Sequence, residues 1–396
     1  MKKNILLSLF LFGCSTPEYG LPKSDLGSRY PRVSSTETGG LLMSWFEKVD
    51  STNWALQWSE FSKGTWTESQ SITASDPYFV NWADFPSIYQ VDGDNLVAHW
   101  LQKSGKAPFD YNVQISHSTD RGKSWSKSVI PHGDMDPKGE HGFLSFFQQQ
   151  DESVGFVWLD GRHMGAYDPV THTMGDMALY RSSMNNGQLG PEIMIDSRTC
   201  ECCPTSAIRT DNSVLIAYRD RSEKEIRNIN IIRYADGKWF DPYPVYDDNW
   251  LIGGCPVNGP MLAEYGNNVA IAWYTSPNET PTVNLAFSHN EGASFDVPIR
   301  VDLSMPIGRV DLTWISQTEV MVSWIETAEE TTDIVTAIVS TNGDVQPPRI
   351  VTEIQPGRVS GYPQMEKVED LLFFAWTEGG EQGSVMSKWV PISAFR

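Results

Sequence analysis

Four cysteines stand out for their placement. Cys200-Glu201-Cys202-Cys203-Pro204 sets three thiols within four residues, and Gly253-Gly254-Cys255-Pro256 adds a fourth further along. Sulfurs this close suit three chemistries. They can pair as disulfides that staple a surface. They can act as thiolate ligands for a thiophilic ion, Cu(I) or Zn, with His141 or His163 completing the set. They can also form a reactive, exchanging pair, since neighbouring Cys202 and Cys203 bridge each other only with strain. A second concentration is basic: Asp160, Arg162 and His163 in LDGRHMG, then Tyr218, Arg219, Asp220, Arg221, Glu225 and Arg227 in YRDRSEKEIRNI. Arg219 and Arg221 share one face of an extended segment, so they can offer two planar forks to a carboxylate, with Arg162 arriving from a neighbouring unit. The competing role for these arginines is salt bridging with Asp160, Asp220 and Glu225. His99, His117, His132, His172 and His289 are scattered and read as structural or exposed.

Residues so far apart in sequence need a scaffold that gathers them, and the chain carries one in its repeats. Seven apolar runs end on an aromatic residue: Trp45, Trp100, Trp158, Tyr218, Trp273, Trp324 and Trp376, at intervals of 51 to 60 residues. Two positions on stand Glu47, Gln102, Asp160, Asp220, Thr275, Glu326 and Glu378. Pro31, Pro86, Pro204, Pro260 and Pro363 open the segments upstream, which suits the first residue of a strand, where no ladder donor is needed. Each unit holds up to four short strands separated by Gly and polar turns. Repetition of such sheets about an axis makes an all-β propeller, with seven blades preferred over six. The last unit has room for only three strands, and the N-terminal spacer is a candidate for the fourth. In this architecture the loops entering first strands and leaving second strands converge on one mouth. The cysteines, the arginines and Asp84 all fall on those loops.

The turns between third and fourth strands carry a further motif. Ser118-Thr119-Asp120-Arg121-Gly122-Lys123-Ser124-Trp125 fits S-x-D-x-G-x-x-W, and Ser288 to Phe295 is a softened copy with Asn290 for Asp and Phe295 for Trp. Here the chain resembles the Asp-box, or BNR, repeat of the sialidase-like propellers. Tyr30-Pro31-Arg32 is a loose match to that family's N-terminal F/Y-R-I-P. The resemblance implies a glycan at the mouth, with Arg162, Arg219, Arg221 and Arg227 as a cluster holding a sugar carboxylate, flanked by Asp220. For an exo-acting glycoside hydrolase it implies an Asp as acid and base, Asp84 or Asp160. No Tyr-Glu nucleophile pair is placed by motif. The boxes themselves specify a capped hairpin, not chemistry. A ligand-binding propeller, a sialidase-type hydrolase and a disulfide-stapled scaffold are the three resulting expectations.

The bulk of the chain narrows the partners. Of 396 residues, 50 are acidic and 30 are Lys or Arg, a net charge of -20, which repels phosphate backbones and argues against nucleic acid. The chain opens Met-Lys-Lys and continues with an apolar run too short to span a bilayer, ending at LFGC. That segment resembles a bacterial lipobox, which implies a signal peptide over 1–13, a lipid on Cys14 and a tether to an envelope membrane. Loss of Lys2 and Lys3 would move the net charge to -22. Residues 14–29 read as a spacer, and 30–396 as a single domain facing the periplasm or the exterior.

Overall fold

The computed structural model describes residues 21, 27–50, 53–74, 77–133, 139–149, 151, 153–165, 175–328, 331–380 and 382–396. Segment 1–13 and Cys14 lie outside them. The described chain forms seven antiparallel sheets in sequence order. Their inner and second strands are Ser28–Ser35 and Leu41–Lys48, Ser87–Asp92 and Asn95–Lys103, His141–Gln148 and Val154–Asp160, Ser206–Arg209 and Val214–Arg219, Met261–Tyr265 and Asn268–Thr275, Pro306–Ser316 and Glu319–Ala328, and Gln364–Val368 and Leu371–Glu378. Third strands follow in each. Fourth strands are short, and in blade two the fourth is reduced to a bridge between Ile115 and Val129.

Seven blades, not six, follow from the packing. Seven apolar clusters occur among the described residues, and each is shared by two consecutive blades, including one that joins Phe373 and Ala375 of blade seven to Val33, Leu41 and Trp45 of blade one. Sheets buried on both faces need this, because no blade covers its own apolar surface. Blade seven has three strands, as the sequence suggested. It is clasped to blade one by Ser28, whose N–H donates to Gly383 O at 3.2 Å and whose Oγ accepts from Val385 N at 2.9 Å. Of the spacer expected to add a strand there, only Leu21 and residues 27–29 are described; Leu21 packs on the cluster between these two blades.

The aromatic beat now has a cause. All seven aromatics are at most 4% exposed, wedged between blades. In blades one, three and six the acid two residues on takes the indole N–H: Trp45 donates to Glu47, Trp158 to Asp160 at 2.8 Å, and Trp324 to Glu326 at 2.6 Å. In blade seven Glu378 does not pair with the Trp376 nitrogen, which has no partner among the described residues. In blade five, where Thr275 replaces the acid, Asp248 supplies the acceptor for Trp273 at 2.7 Å. In blade two, where Gln102 stands, the Trp100 indole nitrogen has no partner among the described residues. A buried donor needs an acceptor, so most of these acids are structural.

The box turns fasten blades to one another. Ser118 Oγ accepts from Gly122 N at 2.8 Å while Asp120 Oδ1 accepts from Ser124 N at 2.9 Å, and Ser288, Gly292, Asn290 and Ser294 repeat the pattern at 2.9 and 3.0 Å. Gly122, at φ 76°, lies where an added Cβ would meet the Trp58 ring of blade one at 2.1 Å. Only glycine supplies both the turn and the close approach.

Candidate functional site

The inner strands of blades one, three and six each bulge as they leave the mouth. At the bulges Tyr30, Phe143 and Arg309 adopt φ of 55°, 55° and 54°. A left-handed conformation costs a bulky residue roughly 1–2 kcal/mol, and in each case a neighbouring blade holds the freed N–H. Thr377 Oγ1 takes that of Tyr30 at 2.8 Å, Asp84 that of Phe143 at 2.9 Å, and Asn258 Oδ1 that of Arg309 at 2.6 Å. The Asp84 contact requires Gly142, whose added Cβ would sit 1.9 Å from the carboxylate. Asp84, predicted as a catalytic acid, is therefore the clamp of a bulge. It is 3% exposed, and burial pushes its carboxyl well up.

The four cysteines do meet, where the loops entering blades four and five converge. Cys202 and Cys255 form a disulfide with Cα atoms 6.0 Å apart. Cys200 and Cys203 keep their thiols, with sulfurs 3.2 Å apart, and the Cys202 sulfur lies 4.0 Å from that of Cys200. Cys200 and Cys203 are each 1% exposed, whereas Cys255 is at the surface. The Cys200 N–H bonds Arg219 O at 3.0 Å, which ties the CECC turn to the end of blade four's second strand. Burial would raise both thiols. The Cys203 hydrogen bond and the Arg227 charge bring Cys200 below an ordinary thiol instead, and donation to Cys200 leaves Cys203 high. With Cys202 bonded to Cys255, two thiols remain to ligate an ion. Neither predicted histidine joins them: the one grouping of metal-capable side chains among the described residues is Cys200, Cys202 and Cys203. His141 faces Asp160 at 3.5 Å and stacks on His132, and His163 bonds the Tyr180 hydroxyl at 3.0 Å.

The predicted arginine cluster is present but spent. Arg219 is 1% exposed and donates to the carbonyls of Asn258, Arg227 and Tyr274 at 2.9, 2.9 and 2.6 Å. Arg221 is held by Glu225 and Glu201. Arg227 donates to Glu201 Oε2 at 2.8 Å, Glu225 Oε2 at 3.1 Å and the Cys200 sulfur at 3.1 Å. Arg162 lies in blade three, bidentate to Asp160 and bonded to Glu192 at 2.6 Å. Fork-to-carboxylate pairing within the protein uses the geometry that a ligand would need. Asp160, the other predicted acid, is fully buried. Although burial opposes it, the Arg162 and His141 contacts hold its carboxyl well below the usual range, so it carries no proton to give. Asp220 is nearer the surface, with a carboxyl raised to about 6 by burial and the Asp196 charge.

Two features were not read from the sequence. Tyr111 donates to Glu140 Oε1 at 2.6 Å, an ordinary Tyr-Glu pair that no local motif announces because its members lie 29 residues apart on different blades. Burial pushes the Glu140 carboxyl up to about 7, against the Tyr111 bond and with the help of the Glu201 charge. The second feature is an open cleft of about 720 Å³ on the other side of the mouth, lined by Trp82, Trp250, Val257, Tyr274, Met305 and Arg309, among others. Trp82 reaches across to stack on Tyr362 at 6.2 Å, with the Arg309 and Arg358 guanidiniums 4.5 and 5.6 Å from its ring. Arg309 is saturated by Ser360, Gly361 and Gly357. Arg358 is exposed, and among the described residues no carboxylate pairs with it. Beneath the mouth a polar cavity of about 220 Å³ runs between the inner strands, walled by Arg32, Asp84, Asp311 and Glu366 among others.

No protein-family profile matches this chain, and no curated protein matches it in sequence. Solved structures do share its fold. An ulvan lyase, a polysaccharide lyase bound to a GlcA-containing saccharide, is 8% identical with a TM-score of 0.56, over 94% of this chain and 97% of the other. The GH93 α-L-arabinofuranosidase of Fusarium graminearum, with arabinobiose, is 13% identical at a TM-score of 0.51, over 94% and 96%. The NanB sialidase from Streptococcus pneumoniae is 8% identical at 0.51, over 90% and 84%. These likenesses concern the fold.

Proposed function

We propose that this propeller binds an acidic glycan in the cleft beside Trp82. The carrying observation is the combination of a cleft of about 720 Å³, walled by Trp82, Trp250 and Tyr274, with the exposed Arg358 over the Trp82 ring. That volume falls in the range of small-ligand sites, and an aromatic wall with few polar groups is their usual make-up. A sugar face packs on an indole, while a ring carboxylate finds the Arg358 guanidinium, which no acid among the described residues occupies. The three similar folds named above act on, or are bound to, saccharides, which supports the same class of ligand here. Titration with uronate- and sialate-bearing oligosaccharides, followed by tryptophan fluorescence, tests it. Binding weakens at least tenfold in Trp82→Ala and Arg358→Gln and stays within twofold in Arg221→Ala. Equal loss in Arg221→Ala would move the ligand to the arginine loop.

A hydrolytic reading is favoured by one observation, the Tyr111–Glu140 hydrogen bond with a carboxyl at about 7. Tyr111 would be the nucleophile and Glu140 its base; Tyr111 is 1% exposed beneath the Phe79 ring stacked on it at 4.0 Å, so this reading requires that ring to move aside. Release of a fluorogenic sialoside by the wild type and its loss in Tyr111→Phe would establish this reading; no release by the wild type removes it. The tether belongs to the same proposal: a lipid on Cys14 holds the propeller at an envelope membrane. Metabolic labelling with an alkyne fatty acid that survives Cys14→Ser would refute the tether.

A further inference from the structure

The cysteines sit in two tiers. Cys255 is exposed and Cys202 half-buried, whereas Cys200 and Cys203 lie beneath them, each 1% exposed. Of the two disulfide sulfurs, that of Cys202 lies 4.0 Å from the Cys200 sulfur. Arg227, itself 2% exposed, places Nη1 3.1 Å from the Cys200 sulfur, a position that favours the thiolate. The Asn258 N–H points at the Cys203 sulfur at 3.4 Å. A staple needs none of this. It needs one disulfide, not a second pair of thiols held in reach of it beside a buried cation.

We propose that the four cysteines form a thiol–disulfide exchange site, in which the rim pair Cys202–Cys255 carries oxidising equivalents between external thiols or disulfides and the buried pair Cys200–Cys203. The Cys200 thiolate attacks the Cys202 sulfur. The bond to Cys255 breaks, and its electron pair leaves on Cys255 as a thiolate at the open rim. Cys203 then attacks Cys200, 3.2 Å away, and its proton passes to the departing Cys202 sulfur. One disulfide is broken and one made; one negative charge and one thiol proton are present before and after. No oxidant is consumed in the transfer itself. The rim pair so formed, one thiol and one thiolate, reduces an external disulfide, RSSR, giving RSH and RS⁻ and restoring Cys202–Cys255. This site uses neither Trp82 nor Arg358, so it stands or falls separately from the glycan reading.

The test is acid quenching followed by alkylation and peptide mapping of the folded full chain across a glutathione redox series. Cys255 reports the pairing, because it lies alone on its peptide while the other three share one. We expect Cys255 to become alkylated in a fraction of molecules that retain an internal Cys200–Cys203 bond. Glutathione disulfide should oxidise the buried pair at least tenfold faster in the wild type than in Cys202→Ser, which keeps the exposed Cys255 but lacks the relay sulfur. The proposal is overturned if Cys255 stays bonded at every poise while Cys200 and Cys203 stay free. It is also overturned by four free thiols with stoichiometric Zn or Cu, by two disulfides that native dithiothreitol never opens, or by wild-type oxidation rates in Cys202→Ser. Should Cys202→Ser not fold, the wild-type mapping decides alone.

Discussion

The two sides of the propeller mouth are built on opposite plans. Over blades three and four, Arg162, Arg219, Arg221 and Arg227 meet Asp160, Glu192, Glu201 and Glu225, and nearly every fork has its carboxylate or carbonyl. Towards blades five to seven the wall is Trp250, Tyr274 and Met305 with Trp82 laid across, and beside it stands Arg358, which pairs with no carboxylate among the described residues. The difference teaches that density of charge is a poor guide to a ligand site. A cluster rich in both signs satisfies itself, and what remains open for a ligand is the side where one charge was left over beside apolar area.

That comparison can be broken in several ways. The largest effect should come from the rim staple. Cys255→Ser opens a 53-residue loop, for which chain-entropy estimates give about 4 kcal/mol of lost stability. Urea denaturation checks it, and glycan affinity should stay unchanged. Arg219→Met comes next, at about 3 kcal/mol, because three buried carbonyls lose their donor. If Arg221→Ala, whose partners Glu201 and Glu225 do not line the cleft, lost glycan binding before it lost its fold, the ionic side would belong to the ligand site. Trp82→Ala should show the reverse, at least tenfold weaker binding, or about 1.4 kcal/mol, with a small change in melting temperature.

The remaining effect is a pH slope. Glu140 titrates at about 7 in the folded chain against 4.5 for the free side chain, so between those values the native state holds a proton that the unfolded state has released. Stability from this group therefore falls as pH rises from about 4.5 to 7, by at most roughly 1.4 kcal/mol per pH unit. Denaturation of Glu140→Gln across this window should show a shallower fall than the wild type. An unchanged slope would mean that Glu140 is not held neutral.

The fold was legible because it is written in repeats. Each wedge aromatic and each box turn answers a local demand, burial between sheets or a capped hairpin, and local demands leave local patterns. The cysteines were also legible, since three thiols in four residues have few explanations. The arginines were legible only as candidates: Arg219 reads the same whether it meets a sugar or the carbonyls of Asn258 and Tyr274, which come from the neighbouring blade. Trp82 and Arg358 left no signal. They meet only because a loop before blade two crosses to a loop before blade seven, a distance of 276 residues along the chain. The pairing of Glu140 with Tyr111 was hidden for the same reason, its members being on different blades. The acids after the aromatics were legible as a pattern, but their service to the indoles of Trp45, Trp158 and Trp324 was not.

The junction at Ser28 has one more outcome, for the order in which the molecule is made. Every other pair of neighbouring blades is joined by continuous chain, whereas the first and last touch only through contacts such as those of Ser28 with Gly383 and Val385. During synthesis the first blade must wait, one flank bare, until blade seven has left the ribosome. Chains truncated near Gly379 should thus expose Trp45, Phe61 and Phe373 together, and aggregation would begin at that unfinished seam.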